Sequence, residues 1–293
     1  MADQPLHGKV AVVAGATRGA GRGIAVMLGA TGATVYCTGR STRSQAATPG
    51  RVETIEETAE LVSARGGVGI PVRVDHTVAA DVAALFDRIQ DEQQGRLDLL
   101  VNDVWGGDAL AEWDKPFWQH SLPNGLLMQE RAVQSHMITS YYGVPLMVAR
   151  RRGLIIEVTD GMDYEYRGSL YYSLAKISAI HLARAMAADL KPHTVTALAL
   201  TPGFLRSEAM LDHFGVTEAT WREAIKKDPH FAESETPFYI GKAVAALASD
   251  PHIAARSGQV LMSGDLAQEY GFTDVDGRQP NWRVYFEQNI AGK

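Results

Sequence analysis

Residues 11–25 read AVVAGATRGAGRGIA, and this stretch decides the fold. A short apolar run is followed by Gly15, Gly19 and Gly21, and then by residues with helical character. Glycines at a strand-to-helix turn allow backbone amides to approach a pyrophosphate, and the start of the helix adds partial positive charge. The order of strand, glycine turn and helix therefore predicts a β-α-β unit that binds a nucleotide.

The same alternation continues along the chain. Apolar, β-branched runs predict strands over residues 9–15, 33–39, 67–75, 97–102, 153–159, 194–200 and 258–262. Amphipathic patterns predict helices over residues 19–28, 52–66, 79–93, 125–150, 171–190 and 239–249. Repeated β-α-β units with right-handed crossovers form a parallel sheet. We therefore expect a Rossmann-type α/β fold, a doubly wound parallel sheet of about seven strands with helices on both faces.

Nothing in the sequence separates two domains, so residues 1–293 are interpreted as one domain. Residues 103–124 are predicted to be a loop, and their three tryptophans indicate a covered pocket or an interface. Residues 203–238 form a polar, partly helical excursion beside the expected ligand edge, and residues 265–293 form an aromatic tail. The tail is expected to cap the pocket or to pack on a neighbouring subunit.

Composition excludes several classes of protein. The net charge of −6, from 28 basic and 34 acidic residues, opposes a nucleic-acid footprint. Cys37 is the only cysteine, which excludes an intrachain disulfide and a cysteine-based zinc site. His120 and His136 have no partner at metal-ligand spacing, so they are interpreted as satisfied or surface histidines and no metal is expected. Since no apolar run approaches the ~18 residues of a membrane span, a cytoplasmic protein is expected.

Tyr172 and Lys176 lie four residues apart in a predicted helix, so both project from one face. Hydride transfer to a ketone requires a proton for the developing alkoxide, and a phenol of ordinary pKa is a weak acid. A neighbouring ammonium stabilises the phenolate and lowers the pKa of the phenol. On its own such a pair is more often two residues on a surface helix, but its position after the fifth strand of a fold with a glycine turn indicates a general acid that serves carbonyl chemistry.

The G-x-x-x-G-x-G spacing, together with Tyr172-Ser173-Leu174-Ala175-Lys176, resembles the classical short-chain dehydrogenase/reductase family. The resemblance covers about residues 8–262. Further matches are Asp75, Asn102 and Pro202-Gly203, each directly after a predicted strand, where ligands bind in open α/β sheets. The resemblance implies a set of cofactor-binding residues: Gly15, Thr17, Arg18, Gly19, Gly21, Arg40, Asp75, Asn102, Lys176, Pro202, Gly203 and Leu205.

Charge near the second strand indicates which cofactor is used. The strand ends in Thr38-Gly39-Arg40-Ser41, without the carboxylate that an NAD enzyme usually places against the ribose. Arg18 in the glycine turn adds a second cation. Both arginines would attract a 2′-phosphate, so NADP(H) is expected. The alternative is that Arg18 and Arg40 are solvated surface residues.

The sequence departs from the family at three places. Residues 155–161 contain no serine, and either Thr159 or Asp160 could take the position of the family's catalytic serine. Thr159 lies thirteen residues before Tyr172, the spacing that the resemblance implies, and is therefore favoured; Asp160 would need to be protonated to donate a hydrogen bond. Ala132 lies at or near the position of the family's helix asparagine. Residues 102–106 read NDVWG where the family commonly has Asn-Asn-Ala-Gly.

The resulting hypothesis is an NADP(H)-dependent oxidoreductase that acts on a small-molecule carbonyl or secondary alcohol. The catalytic residues would be Tyr172, Lys176 and either Thr159 or Asp160. The alternative is a weak or inactive NADP(H)-binding sensor or scaffold, although a sensor needs no tyrosine proton donor. A nucleotide-fold methyltransferase would usually have an acid at the end of the second strand. The resemblance also implies a homodimer or homotetramer that pairs through helices 125–150 and 171–190, and neither a nucleic acid nor a membrane partner is expected.

Overall fold

The computed structural model describes residues 4–290, and within them seven parallel strands form one sheet in the order β3-β2-β1-β4-β5-β6-β7. The strands are β1 Val10–Ala14, β2 Thr34–Gly39, β3 Val68–Arg73, β4 Leu99–Asn102, β5 Gly153–Val158, β6 Val195–Thr201 and β7 Val260–Met262. The strand order reverses between β1 and β4, and ligands of open α/β sheets bind beyond the carboxyl ends of strands at such a point. The predicted Rossmann-type sheet is confirmed.

The helices connect the strands and cover both faces of the sheet. They are α1 Gly19–Ala30, α2 Ile55–Ala64, α3 Ala79–Gln93, α4 Leu122–Gln129, α5 Ser135–Arg150, α6 Leu170–Leu190, α7 Glu208–Phe214, α8 Pro237–Ser249, α9 Ser263–Tyr270 and α10 Trp282–Asn289. Val12 and Val13, adjacent in β1, belong to two different buried apolar clusters. Because side chains alternate across a strand, this places one core on each face of the sheet.

Several helices begin where the local sequence caps them. α2 starts at Ile55 instead of residue 52 because the Thr54 side chain accepts a hydrogen bond from the Glu57 amide. The helix predicted over residues 125–150 starts earlier, after Ser121, whose side chain accepts from the Asn124 amide. A π-helical turn at Glu130–Gln134 then joins α4 to α5. Such turns recur at functional sites of helical segments.

The excursion after β6 and the C-terminal segment are joined by a wholly buried arginine. Arg206 donates to the carboxylates of Glu218 and Asp276 and to the Ser234 carbonyl. Its guanidinium also lies 4.2 Å from the centre of the Trp221 ring. The two segments therefore form one wall beside the ligand edge of the sheet.

Within residues 4–290, no helix has both the length and the apolar character needed to cross a membrane.

Candidate active site

A cleft of about 780 Å³ opens at the carboxyl ends of the strands. Most of the site residues expected from the sequence line it: Gly15, Thr17, Arg18, Gly19, Arg40, Asp75, Thr159, Asp160, Tyr172, Lys176, Pro202, Gly203 and Leu205. Gly21 and Asn102 lie outside its walls. The fold therefore brings together residues that are up to 190 positions apart in the sequence.

The glycine turn between β1 and α1 allows no side chain at two positions. Gly15 has a φ of +93°, and a Cβ on it would lie 2.5 Å from the carbonyl oxygen of Asp103. A Cβ on Gly21 would lie 2.3 Å from the carbonyl oxygen of Gly15. Gly21 is thus required for the packing of α1 against the turn, and it lies beneath the cleft wall instead of in it.

Two arginines line the adenosine end of the cleft. A terminal nitrogen of Arg18 lies 3.4 Å from the Thr48 hydroxyl, and a terminal nitrogen of Arg40 lies 3.7 Å from the Asp75 carboxylate. The end of β2 itself carries no acid. Both cations line the cleft near the end of β2.

Tyr172, in the first turn of α6, donates its hydroxyl proton to Asp160 Oδ2 over 2.6 Å. Arg167 Nη2 lies 2.9 Å from each Asp160 oxygen, so the carboxylate accepts all three of these contacts. The rings of Trp105 and Trp113 lie 5.4 and 5.1 Å from the ring of Tyr172, centre to centre. Burial, together with the charge and hydrogen bond of Asp160, raises the pKa of Tyr172 above its ordinary value.

Lys176 lies one helical turn after Tyr172 and faces the same cleft. Its ammonium group lies 3.8 Å from the centre of the Trp105 ring and 5.5 Å from that of Tyr172. Burial lowers the pKa of Lys176, and the carboxylates of Asp160 and Asp103 oppose this shift. The sequence hypothesis gives this ammonium group the role of stabilising the tyrosine anion, whereas the groups that shift the pKa of Tyr172 most are its burial and Asp160.

The geometry favours Asp160 over Thr159 as the partner of Tyr172, contrary to the expectation from spacing. Thr159 is buried, and its hydroxyl donates to the backbone carbonyl of Lys176 over 2.7 Å. That hydroxyl therefore contacts α6 and not the tyrosine. Asp160 in turn is an acceptor, whereas the sequence argument required it to be a protonated donor.

Asn102 lies within a buried polar network and not in the cleft. Its amide donates to the Ser140 hydroxyl and to Glu157 Oε1, at 2.9 and 2.6 Å. His136 Nδ1 lies 2.6 Å from Glu157 Oε2, and its Nε2 lies 3.0 Å from the Val104 carbonyl oxygen. Both ring nitrogens face acceptors, and the imidazolium is the form of His136 that donates to both. Burial lowers the pKa of His136, but the charge and hydrogen bond of Glu157 outweigh it and raise that pKa overall.

The sequence profile described as short chain dehydrogenase matches residues 9–214. The chain belongs to this family. It is 36% identical over 277 residues to the human protein named dehydrogenase/reductase SDR family member 1, covering 94% of this chain and 85% of the relative. It is 27% identical over 204 residues to the 3-oxoacyl-[acyl-carrier-protein] reductase FabG of Aquifex aeolicus, covering 69% and 76%.

Solved structures confirm the fold of this short-chain dehydrogenase. A short-chain dehydrogenase from Mycobacterium thermoresistibile superposes with a TM-score of 0.77 at 23% identity, covering 94% of this chain and 92% of the other. A putative NAD(P)-dependent gluconate 5-dehydrogenase from Beutenbergia cavernae, with bound NADP, superposes with a TM-score of 0.69 at 22% identity. That comparison covers 88% of this chain and 96% of the other.

Ala132, which the sequence places at or near the position of the family's helix asparagine, lies beside a small cavity in this short-chain dehydrogenase. The residue belongs to the π-helical turn and lines the cavity of about 20 Å³ together with Lys176 and His136. This volume is close to that of a single water molecule by the same kind of measure. The polar side chains around it are Asp103 after β4, His136 of α5 and Lys176 of α6.

Sequence reasoning missed several side chains that shape the site. Arg167 is one, although its position five residues before the tyrosine was visible. Asp103 was noticed only as a departure from the family. Trp105 was also counted among the tryptophans that indicate a covered pocket, but its contact with Lys176 depends on the path of the loop after β4. Glu208 was not singled out at all. Its partner in the glycine turn is 189 residues away, and no local pattern indicates a pairing at that distance.

Proposed function

We propose that this chain is an NADPH-dependent oxidoreductase that interconverts a carbonyl and a secondary alcohol in a small, largely apolar molecule. One observation carries the proposal. The Tyr172 hydroxyl and the Lys176 ammonium face the same cleft as the glycine turn at the start of α1. A proton donor, its electrostatic partner and a phosphate-binding turn are the parts that such a reaction needs.

The residues present fit a dinucleotide. The Gly15 turn leaves no room for a Cβ, Gly19 at the start of α1 lines the cleft, and the Arg18 side chain does not cap this helix start. We infer that the first amides of α1 hold the pyrophosphate and that Arg18 and Arg40 hold the 2′-phosphate. When bound, the nicotinamide supplies or accepts the hydride. The neighbour with bound NADP is consistent with this choice.

Side chains of this protein donate the proton and stabilise the anion that remains. In the reducing direction the Tyr172 hydroxyl gives its proton to the substrate oxygen, and Lys176 stabilises the phenolate that remains. Asp160 accepts the hydrogen bond of this proton when no substrate is present, so the hydroxyl has to turn from Asp160 to the substrate oxygen before it donates. The negative charge of Asp160 opposes formation of the phenolate, and the Arg167 guanidinium offsets that charge.

The wall opposite the glycine turn selects an apolar substrate. Aromatic and apolar side chains from three segments line it: Trp105, Trp113, Phe204, Met210 and Trp282. The rings of Trp105 and Trp113 pack against the ring of Tyr172, and a less hydrated setting of this kind strengthens the electrostatic effect of Lys176. The polar excursion and the tail therefore both contribute to the substrate side of the cleft.

Arg40→Asp is expected to weaken NADPH binding selectively. A charge-assisted phosphate contact contributes roughly 1.5–3 kcal/mol, so the Kd for NADPH should rise at least tenfold while that for NADH stays nearly constant. Isothermal titration calorimetry with both cofactors measures this. Arg43→Asp is the matched control, because Arg43 is exposed and pairs with Glu60 outside the cleft. Equal affinities of the unaltered protein for NADPH and NADH would contradict the cofactor assignment.

Asp160→Asn is expected to shift the pH dependence of alcohol oxidation. That direction needs the tyrosine anion, so its rate rises as pH passes the pKa of Tyr172. Removing the negative charge lowers this pKa, and the rising limb should move to lower pH by about one unit or more. Thr159→Val removes only the hydroxyl that bonds the Lys176 carbonyl, and it should leave the limb in place. If the rising part of the pH profile moves in Thr159→Val but not in Asp160→Asn, Thr159 holds the position of the family's catalytic serine.

We also propose a homodimer or homotetramer that pairs through α4, α5 and α6. These helices expose a set of large apolar side chains: Leu122, Leu126, Met137, Tyr141, Leu170 and Leu174. An apolar surface of this kind indicates an interface. Light scattering at micromolar concentration should give a multiple of the 31.8 kDa chain mass, and a monomer mass would refute the assembly.

A further inference from the structure

The start of α1 is bound by two carboxylates of the chain itself. The Gly19 amide donates to Glu208 Oε2 over 2.8 Å, and the Gly21 amide donates to the Asp103 carboxylate. Arg18, which precedes the helix, supplies no capping side chain, and the first turn of α1 contains no acid. Two amides that a helix leaves unpaired at its start are therefore held by anions from distant parts of the sequence.

Glu208 and a pyrophosphate require the same donor. A phosphate oxygen at the start of α1 would accept from the Gly19 amide, which Glu208 already holds. Two anions at this point would also repel each other at short range. The contact of Glu208 with Gly19 and a pyrophosphate bound at the glycine turn consequently exclude each other.

The competing carboxylate belongs to the segment that closes the substrate side of the cleft. Glu208 is the first residue of α7, and the preceding Ser207 caps that helix by accepting from the Met210 amide. Ser207, Glu208 and Met210 all line the cleft. The position of α7 is therefore coupled directly to the occupancy of the Gly19 amide.

A second side chain, that of Trp105, covers the Lys176 ammonium, which is also expected to contact the cofactor. The family resemblance gives Lys176 a further role at the cofactor ribose, and the Trp105 ring lies directly against this ammonium group. Trp105 comes from the loop after β4 and Glu208 comes from α7, so two separate segments of the chain cover the two groups. The Gly19 amide and the Lys176 ammonium are therefore both covered, each by a different part of the cleft.

We propose that the Glu208 carboxylate occupies the position of the cofactor pyrophosphate when no dinucleotide is bound. Its contact with the Gly19 amide, here called the latch, holds α7 against the glycine turn, and a binding dinucleotide breaks it. This inference rests on the proposed function, because it assumes that the cleft binds NADP(H). The latch lowers the apparent affinity for the cofactor by the fraction of molecules in which the Gly19 amide is free. It also links cofactor entry to movement of the segment that faces the substrate.

The test compares Glu208→Gln with Glu223→Gln. Glutamine keeps the shape of residue 208 but removes the charge that binds Gly19 and repels phosphate. Glu223 is an exposed residue of the same excursion with no side-chain hydrogen bond to any residue in 4–290, so its variant changes the net charge equally without touching the cleft. A third variant, Glu208→Ala, removes the contact completely.

Two measurements are made on each protein. Calorimetry with NADP⁺ and with inorganic pyrophosphate should show a Kd lowered by roughly tenfold in Glu208→Gln and unchanged in Glu223→Gln. Hydrogen exchange without nucleotide should show faster exchange of the α7 amides in both Glu208 variants, because the latch no longer holds the helix.

The outcomes separate the latch from the proposed function. Unchanged or weaker NADP⁺ binding in Glu208→Gln, or unchanged exchange in α7, overturns the latch and leaves NADP(H) binding intact. If none of the proteins binds NADP⁺, the proposed function fails and the release of the latch by nucleotide fails with it. If only pyrophosphate binds, and binds more tightly in Glu208→Gln, the competition at Gly19 stands while the dinucleotide assignment fails.

Discussion

Tyr172→Phe is expected to lower turnover by about 10²–10⁴-fold and to leave cofactor affinity intact. The substitution removes only the hydroxyl that bonds Asp160 and that would give its proton to the substrate oxygen. Loss of a positioned general acid typically lowers kcat by about 10²–10⁴-fold. The phenylalanine ring keeps the contacts of the tyrosine ring with Trp105 and Trp113, so the cleft should retain its shape.

The measurement follows NADPH oxidation against a broad panel of apolar ketones and aldehydes, with cofactor affinity titrated separately. Tyr171→Phe is the matched control, since this neighbouring hydroxyl lies outside the cleft. Turnover that survives in Tyr172→Phe would remove the tyrosine from the proton path. If the unaltered protein binds NADPH tightly but reduces nothing in the panel, the sensor interpretation replaces the enzyme.

His136→Ala is expected to have the largest effect on stability. Glu157 is completely buried, and after the substitution its carboxylate keeps the Asn102 amide but loses its positive partner. Removing one member of a buried ion pair costs about 3–5 kcal/mol of unfolding free energy. For a chain of this size the Tm should fall by on the order of 5–10 °C.

Thermal and denaturant unfolding of His136→Ala and of His181→Ala measure this effect. His181 is an exposed residue of α6, and its loss should change the unfolding free energy by less than about 0.5 kcal/mol. Equal effects of the two substitutions would mean that the network is not a charged pair. Because the network holds the Val104 carbonyl, His136→Ala should also loosen the loop that carries Trp105.

The fold could be predicted from the sequence because its determinants are local. The apolar run before Gly15 and the alternation of strands and helices depend on neighbours in the chain, and the seven-stranded sheet follows from them. That Tyr172 and Lys176 lie on one face of a helix could also be predicted, since their spacing is that of one helical turn. Helix starts at Ile55 and Leu122 differed by three residues from prediction because capping side chains set them.

The choice between Thr159 and Asp160 could not be made from spacing. Both residues follow β5, and the direction of their side chains depends on how the chain leaves that strand. The hydrogen bond of Thr159 to the Lys176 carbonyl and the contact of Arg167 with Asp160 both arise from tertiary packing. Glu208 illustrates the same limit, because its partner lies on the opposite side of the cleft.

The buried guanidinium of Arg206 has a consequence for the redesign of this enzyme. Its anionic partners Glu218 and Asp276 come from the excursion and from the C-terminal segment, so neither segment is self-sufficient. Replacing the C-terminal segment alone would leave Arg206 with Glu218 but without Asp276, and replacing the excursion alone would remove Arg206 and leave Asp276 without its cation. To change the substrate range, the excursion and the C-terminal segment therefore have to be exchanged together between homologues.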